Sequence, residues 1–101
     1  MDNTDTQNII VTTGNIDYPY QVVDCIFALD CTQETFLNPT NPRLAFDGVK
    51  QQLKEQCVEL GGHAVICTQF EYRSALADGF FGKKNAIEIF AYGTVVRWME
   101  S

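Results

Sequence analysis

The fold of this chain is decided by residues 44–73, which read LAFDGVKQQLKEQCVELGGHAVICTQFEYR. In the first part of this stretch, apolar side chains recur at spacings of three and four residues, at Phe46, Val49, Leu53, Cys57 and Leu60. This spacing places them on one stripe and predicts an amphipathic helix over residues 44–60. Gly61 and Gly62 predict the end of that helix, because glycine adopts the left-handed conformation without penalty.

The second part of the stretch predicts a long strand over residues 63–73, because apolar and polar side chains alternate there. The side chains expected on the buried face of this strand are those of Ala64, Ile66, Thr68, Phe70 and Tyr72. The opposite, more polar face is expected to carry His63, Cys67 and Glu71.

Further strands flank this helix–strand unit. Residues 18–29 and 86–98 are rich in β-branched and aromatic side chains, which predicts two more long strands. The side chains expected on one face of the earlier strand are those of Tyr20, Val22, Ile26 and Ala28. A β-branched run at residues 9–13 predicts a short edge strand. Residues 30–43 and 74–85 carry turn-forming residues and are predicted as loops.

The order of these elements predicts the α+β class. We expect a two-layer β-α-β-β arrangement with an antiparallel sheet, one main helix at residues 44–60 and an extra short N-terminal strand. The length of 101 residues is that of a single domain, expected to span residues 1–101. Residues 1–8 are polar and are expected to be disordered.

The composition excludes several classes of partner. Seven Lys or Arg residues stand against thirteen Asp or Glu residues, which gives a net charge of −6. An acidic chain argues against a nucleic-acid partner, since phosphates attract a basic surface. No apolar run approaches the ~20 residues of a membrane-spanning helix, and the polar start does not look like a signal peptide. We therefore expect a cytoplasmic protein with neither a nucleic-acid nor a membrane partner.

The cysteines do not form a recognisable metal or redox motif. Their positions are Cys25, Cys31, Cys57 and Cys67, and no two have the C-x-x-C spacing. Cytoplasmic thiols stay reduced, and three of the four stand among apolar neighbours, where cysteine is usually a small buried hydrophobe. Cys31 lies in a polar stretch and is expected to be the most exposed thiol.

One face of the last strand has no expected cover. A single helix covers one face of a sheet, and the small aliphatic side chains of residues 87–95 suit that face. The opposite face carries the large side chains of Phe90, Tyr92, Val96 and Trp98. Such a patch is large for a surface exposed to water, so we predict a homo-oligomer that buries it. The alternative is that the N-terminal segment of the same chain covers it.

A second candidate contact lies in the predicted loop GFFGKK at residues 79–84. Its spacing does not match a phosphate-binding loop, because no Ser or Thr follows the lysines. We expect Phe80 and Phe81 to pack into a neighbouring subunit. The alternative is that this loop binds another partner or an anionic ligand.

The best candidate metal ligands are His63 and Cys67, joined by Glu71 or Cys57. On one strand His63 and Cys67 lie about 13 Å apart at ~3.3 Å per residue, too far for one ion whose bonds are ~2.0–2.3 Å. A site for a divalent metal therefore needs several subunits around a symmetry axis. The simpler interpretation is that His63 caps the turn between helix and strand.

The sequence offers little for catalysis, and we predict that the protein is not an enzyme. Asp24, Glu71 and Glu88 are expected on strands, with no spacing that brings two of them together as an acid and a base. Arg73 and Arg97 are natural ion-pair partners for them. The single histidine has no nearby nucleophile in a known local signature.

Four segments, taken in order, resemble the YbjQ-like proteins, a family that carries a heavy-metal-binding label. They are IVTTG at residues 10–14, LGGHAVI at 60–66, FEY at 70–72 and AYGTVVR at 91–97. The third and fourth are similar to the family's strand ends, and the second is similar to its turn from helix into strand. The four segments are spread over the chain from residue 10 to residue 97.

The resemblance implies a dodecin-like subunit and a ring-shaped homo-oligomer, typically a pentamer, but no catalytic residues. The chain departs from the family pattern at Asp30 and the proline-containing segment after it, and at His63, Cys67 and Gln69. The sequence thus predicts a small non-enzymatic homo-oligomeric module in which any ligand site lies between subunits. The alternative is a metal-binding protein that uses histidine, cysteine and carboxylates from several subunits.

Overall fold

One helix and one four-stranded sheet make up the fold. The computed structural model describes residues 6–33, 42–79 and 82–99. Its elements are β1 (Ile10–Val11), β2 (Tyr20–Gln33), α1 (Pro42–Glu59), β3 (Ala64–Gly79) and β4 (Gly82–Trp98). The strand order is β1-β3-β4-β2. β4 is antiparallel to both of its neighbours, and β1 adds a parallel pairing to β3. The predicted α+β class and its β-α-β-β order are confirmed.

The helix packs its apolar stripe onto one face of the sheet, as the spacing predicted. Its fully buried side chains are Ala45, Val49, Leu53 and Cys57, whereas Phe46 is partly buried and Leu60, expected on the same stripe, is 37 % exposed. They meet buried strand side chains in one cluster, which includes Ile26, Ala28, Val65, Ile89, Ala91 and Val95. Each large aliphatic side chain in such a cluster contributes about 1.5–3 kcal/mol by leaving water. This core is the main source of stability.

The helix ends at the two predicted glycines, and a cation from β4 completes the cap. Gly61 has a φ of 73°, and its N–H donates to the carbonyl of Val58 at 2.9 Å. Arg97 donates from Nε to the Gly61 carbonyl at 3.0 Å and from Nη2 to the Leu60 carbonyl at 3.3 Å. A cation is favourable there because the carbonyl end of a helix is partly negative.

The hairpin between β3 and β4 is longer than the sequence predicted. The expected loop at residues 74–85 is wrong, because pairing continues to Gly79 opposite Gly82. The Ser, Ala, Asp and Asn residues there have little strand propensity of their own, and the facing strand supplies the pairing. Phe80 and Phe81 lie outside the described residues.

A bulge interrupts β3 and changes which side chains face the helix. Between Ile66 and Gln69 two residues, Cys67 and Thr68, stand opposite the single residue Gly93. Cys67 has a φ of 53°, in the left-handed region. Its N–H donates to the Gly14 carbonyl at 2.9 Å, and the Thr68 N–H donates to the Thr12 carbonyl at 3.0 Å.

The bulge corrects the predicted alternation of β3. Ala64 and Ile66 are buried, but in a second cluster away from the helix. Val65, before the bulge, and Phe70, after it, both contact the helix-side core. The expected single face is therefore wrong, because the extra residue shifts the side-chain period by one.

The same effect occurs in β2, where the register shifts between Val22 and Asp24. Tyr20 packs with the cluster away from the helix, whereas Ile26 and Ala28 belong to the helix-side core. The sequence placed these residues on one face because strict alternation was assumed across the bulge.

The N-terminal segment crosses the face of the sheet opposite the helix. β1 and β2 occupy opposite edges, so residues 12–19 pass over β3 and β4. On the way Ile16 packs on the buried Val96, and the rings of Tyr18 and Trp98 meet edge to face at 5.3 Å. This half of the face therefore has an internal cover.

Residues 6–8, within the segment expected to be disordered, are described. Thr6 is 5 % exposed, and its Oγ1 accepts a hydrogen bond from Gln51 of the helix at 3.3 Å. Residues 1–5 lie outside the described residues, and the prediction for them stays a prediction.

Gly93 tests the packing of the bulge. A Cβ at this position would lie 2.7 Å from Val65 Cγ1 and 2.9 Å from Thr68 Oγ1. We expect Gly93→Ala to lower the free energy of unfolding by about 1–3 kcal/mol, since overpacking forces neighbours to move. Gly14→Ala is the control, because the nearest atom to its new Cβ is 4.0 Å away. Urea unfolding of both variants checks this, and equal losses would contradict the packing argument.

Candidate functional site: the uncovered half of the sheet

Four large apolar side chains lie together on the face opposite the helix, beyond the reach of the N-terminal segment. They are Phe27 (67 % exposed), Leu29 (58 %), Phe90 (37 %) and Tyr92 (43 %). The register sets Phe27 opposite Tyr92 and Leu29 opposite Phe90. Ring centroids are 6.2 Å apart for Phe27–Phe90 and 5.9 Å for Phe90–Tyr92. We name these four residues the aromatic patch.

Two residues expected at an interface are covered by their own chain instead. Val96 is fully buried, beneath Ile16 and Tyr20, and Trp98 is packed beside it. The alternative interpretation of the sequence thus applies to one half of the face: the N-terminal segment covers the half around Val96, whereas the half around Phe90 is exposed and its burial in a homo-oligomer stays a prediction.

Sequence reasoning missed the contribution of β2 to the patch. Phe27 and Leu29 lie in the strand predicted over residues 18–29, but nothing in the sequence placed them beside Phe90 and Tyr92. The only sign in the sequence was indirect: two large side chains, Phe27 and Leu29, flank the small Ala28 and share the face of the strand that Ala28 does not. The pairing of β2 with β4 turns this local pattern into a continuous surface.

A shallow hollow of about 670 Å³ adjoins the patch. Its lining consists of Leu29, Glu71, Tyr72, Arg73, Glu88 and Phe90. Arg73 donates from Nε to Glu88 Oε2 at 3.1 Å, and its Nη2 contacts the same oxygen. The Arg73 side chain is 73 % exposed, so this pair contributes little to stability. It does fix a charged border beside the apolar patch.

His63 lies at the other end of the sheet, at the turn between helix and β3. Its Nδ1 accepts the backbone N–H of Trp98 at 2.9 Å, and its ring stacks on the Trp98 indole at 6.0 Å with 12° between the planes. The backbone N–H of His63 donates to the Val96 carbonyl at 2.8 Å. These contacts give His63 a structural role in joining the turn to β4, as the simpler interpretation of the sequence expected.

The candidate metal ligands occupy three separate surroundings. His63 stands at the helix–strand turn, Cys67 in the bulge, and Glu71 beside Phe90 and its hollow. Within residues 6–33, 42–79 and 82–99, no three His, Cys, Asp or Glu side chains come close enough together to hold an ion. The proposed site between several subunits stays a prediction.

The described cysteines are free thiols of two kinds. Cys25 and Cys67 are exposed, and Cys57 is buried under the helix. Burial raises the pKa of the Cys57 thiol from 9.0 to about 11, because the thiolate is poorly solvated there. A thiol so protonated and so enclosed is a packing group and not a nucleophile.

Comparison with known proteins supports the fold. The structure is similar to the 2.73 Å crystal structure of a protein of unknown function from Pediococcus pentosaceus that belongs to the DUF74 family. The TM-score is 0.69, with 21 % sequence identity over 90 % of this chain and 98 % of the other. DUF74 is the YbjQ-like family. No family model and no curated protein matches the sequence.

This similarity confirms the fold that the resemblance implied, and at 21 % identity it concerns the fold alone. The similar protein has no known function, so it brings no activity with it. No helix in the described part of this chain is both long and apolar enough to cross a membrane.

Cys57 makes stability depend on pH. Above pH 9 the unfolded thiol ionises while the folded one keeps its proton up to about pH 11. The unfolded state then binds fewer protons, so stability falls as pH rises through this window, by ~3 kcal/mol in total. We expect wild type to lose more stability than Cys57→Ala between pH 8 and pH 10.5, measured by urea unfolding. The alanine variant is less stable throughout because of its cavity, so the pH-dependent losses are compared; equal losses would contradict the assignment.

Proposed function

We propose that this chain is a divergent YbjQ-like protein that works as a non-enzymatic homo-oligomeric module, in which the aromatic patch packs against a second copy. The exposure of Phe27, at 67 %, is the observation that carries the proposal. A phenylalanine in the middle of a strand, surrounded by three other large apolar side chains, is unfavourable in water.

The size of the patch supports a protein partner. At 150–250 Å² for a large side chain, the exposed parts of the four residues expose about 400 Å² of apolar surface. That is about half of the ~800 Å² that each partner buries in a standard interface. The polar border, including Arg73 and Glu88, then supplies the rest, as interfaces commonly combine an apolar centre with a polar rim.

A second copy fits this surface better than a charged partner does. The four residues of the patch carry no charge, and the nearby Arg73 is already neutralised by Glu88. The resemblance to a ring-forming family supports the same partner. The ring size, for which the resemblance implies five, is part of the proposal.

The described titratable groups support the part of the proposal that the protein is not an enzyme. The hollow beside the patch combines carboxylates with an arginine that is already paired, and the buried Cys57 has a raised pKa that opposes nucleophilic chemistry. His63 uses Nδ1 to hold β4. None of these groups is arranged as a nucleophile with its base.

The patch is tested by placing charge in it. We expect the double variant Phe27→Lys and Leu29→Lys to sediment and scatter light at a lower mass than wild type, because desolvating two lysines opposes assembly through the patch. Wild type should form a larger, defined species. Leu44→Lys is the matched control, since Leu44 is 61 % exposed on the helix and its replacement should leave the mass unchanged.

A monomeric wild type at micromolar concentration would overturn the proposal. Elemental analysis of the same light-scattering peak tests the alternative metal-binding function. Stoichiometric metal that is lost in His63→Ala, with the assembly intact, would favour that alternative.

A further inference from the structure

The two edges of the sheet differ in how their backbone hydrogen-bonding groups are covered. On the β2 edge, helix glutamines cover backbone carbonyls: Gln56 Nε2 donates to the Phe27 carbonyl at 2.8 Å, and Gln52 Nε2 donates to the Leu29 carbonyl at 3.0 Å. These contacts occupy the groups that an added strand would need. Cover of this kind opposes pairing with another chain at these two positions.

The β3 edge is covered at one end. β1 pairs with Ala64 and Val65, and the residues after it hydrogen-bond to the bulge at Cys67 and Thr68. From Gln69 to Gly79, no strand in the described parts of the chain lies on that side of β3. These eleven residues, with no strand beside them in the described parts of the chain, are a template for strand addition.

We propose that a second copy of this chain pairs with that edge, β3 against β3 and antiparallel, so that two sheets join into one of eight strands. This interface is separate from the aromatic patch and goes beyond the function proposed above. A twofold axis makes such a contact self-complementary: each copy offers the same eleven residues and accepts them.

The covered end of the edge fixes the register. The N-terminal segment that binds Cys67 and Thr68 blocks the path of an added strand there. The longest pairing that avoids this segment sets Gly79 of the partner subunit opposite Gln69, so that all of residues 69–79 are paired. Any register that centres the contact closer to Gln69 drives the end of β3 into the partner's N-terminal segment. Ser74 then lies on the twofold axis.

This register also avoids like charges across the interface. It sets Glu71 opposite Ala77 of the partner subunit and Arg73 opposite Ala75 of the partner subunit. It also sets Tyr72 opposite Leu76 of the partner subunit, and aromatic–aliphatic pairs at opposing positions stabilise paired strands. Arg73 keeps its bond to Glu88, because Glu88 is on β4 and the proposed interface is on the opposite edge of β3.

A cysteine on the axis tests the register directly. We expect Ser74→Cys to form a disulfide-linked dimer with oxidised glutathione, since residues facing each other in antiparallel strands lie ~4.5–5.5 Å apart. Ala77→Cys is the matched control, because residues 77 of the two copies would lie ~20 Å apart. Wild type, treated in the same way, accounts for the exposed native thiols. No link in Ser74→Cys, or equal linking in both variants, would overturn the proposal.

Charge placement gives a second, reversible measurement. Tyr72→Lys with Leu76→Lys places two lysine pairs across the axis, whereas Tyr72→Lys with Leu76→Glu places two attractive pairs there. We expect the dimer dissociation constant of the first to exceed that of the second by about tenfold or more, from two cross-strand pairs. Equal constants in two variants with the circular dichroism of wild type would overturn the proposal.

The two interfaces can be tested independently. Ser74→Cys is also examined in the background of Phe27→Lys and Leu29→Lys, where the aromatic patch is disabled. Linked dimers in that background support the β3 edge even if the patch proposal fails. If Ser74→Cys forms no link in either background, the edge proposal is overturned even if copies assemble through the patch.

Discussion

Between the pairs Ile66–Thr94 and Gln69–Tyr92, β3 has one residue more than β4. The bulge that accommodates this extra residue determines much of the remaining structure. Cys67 and Thr68 stand where β4 offers Gly93. The left-handed backbone of Cys67 costs roughly 1–2 kcal/mol for a residue other than glycine. The two hydrogen bonds that the bulge donates to the carbonyls of Thr12 and Gly14 contribute about 1 kcal/mol each, so the N-terminal segment and the bulge hold each other in place.

This mutual dependence determines what the far face of the sheet exposes. Because the N-terminal segment is fastened at the bulge, it leaves the β3 edge there and crosses toward β2, over Val96 and beside Trp98. It therefore cannot cover the part of the face that lies farther along β4. The aromatic patch is the remainder: its exposure follows from the position of the bulge and from the short length of the crossing segment.

The sequence predicted what depends on local pattern and missed what depends on pairing. The helix was found because a period of 3.6 residues is read within one segment, and Gly61 marks its end with a left-handed backbone. The faces of β2 and β3 were assigned wrongly because each contains a bulge, and a bulge depends on the partner strand. Gly93 was the one local hint, since no Cβ fits between Val65 and Thr68. The aromatic side of β4 was recognised from alternation, but its division into covered and uncovered halves required the path of residues 12–19.

The net charge of −6 decides what kind of force can join copies of this chain. Two such copies repel each other at long range, although salt screens this repulsion beyond ~8–10 Å. Attraction must then be of short range. The aromatic patch offers apolar contact, and the β3 edge offers backbone hydrogen bonds that do not depend on charge. Arg73, which stands between the two surfaces, is already neutralised by Glu88, so charge contributes little attraction at either place. Association between copies of this chain thus depends on the complementarity of their surfaces at close contact, because their net negative charges repel each other at longer range.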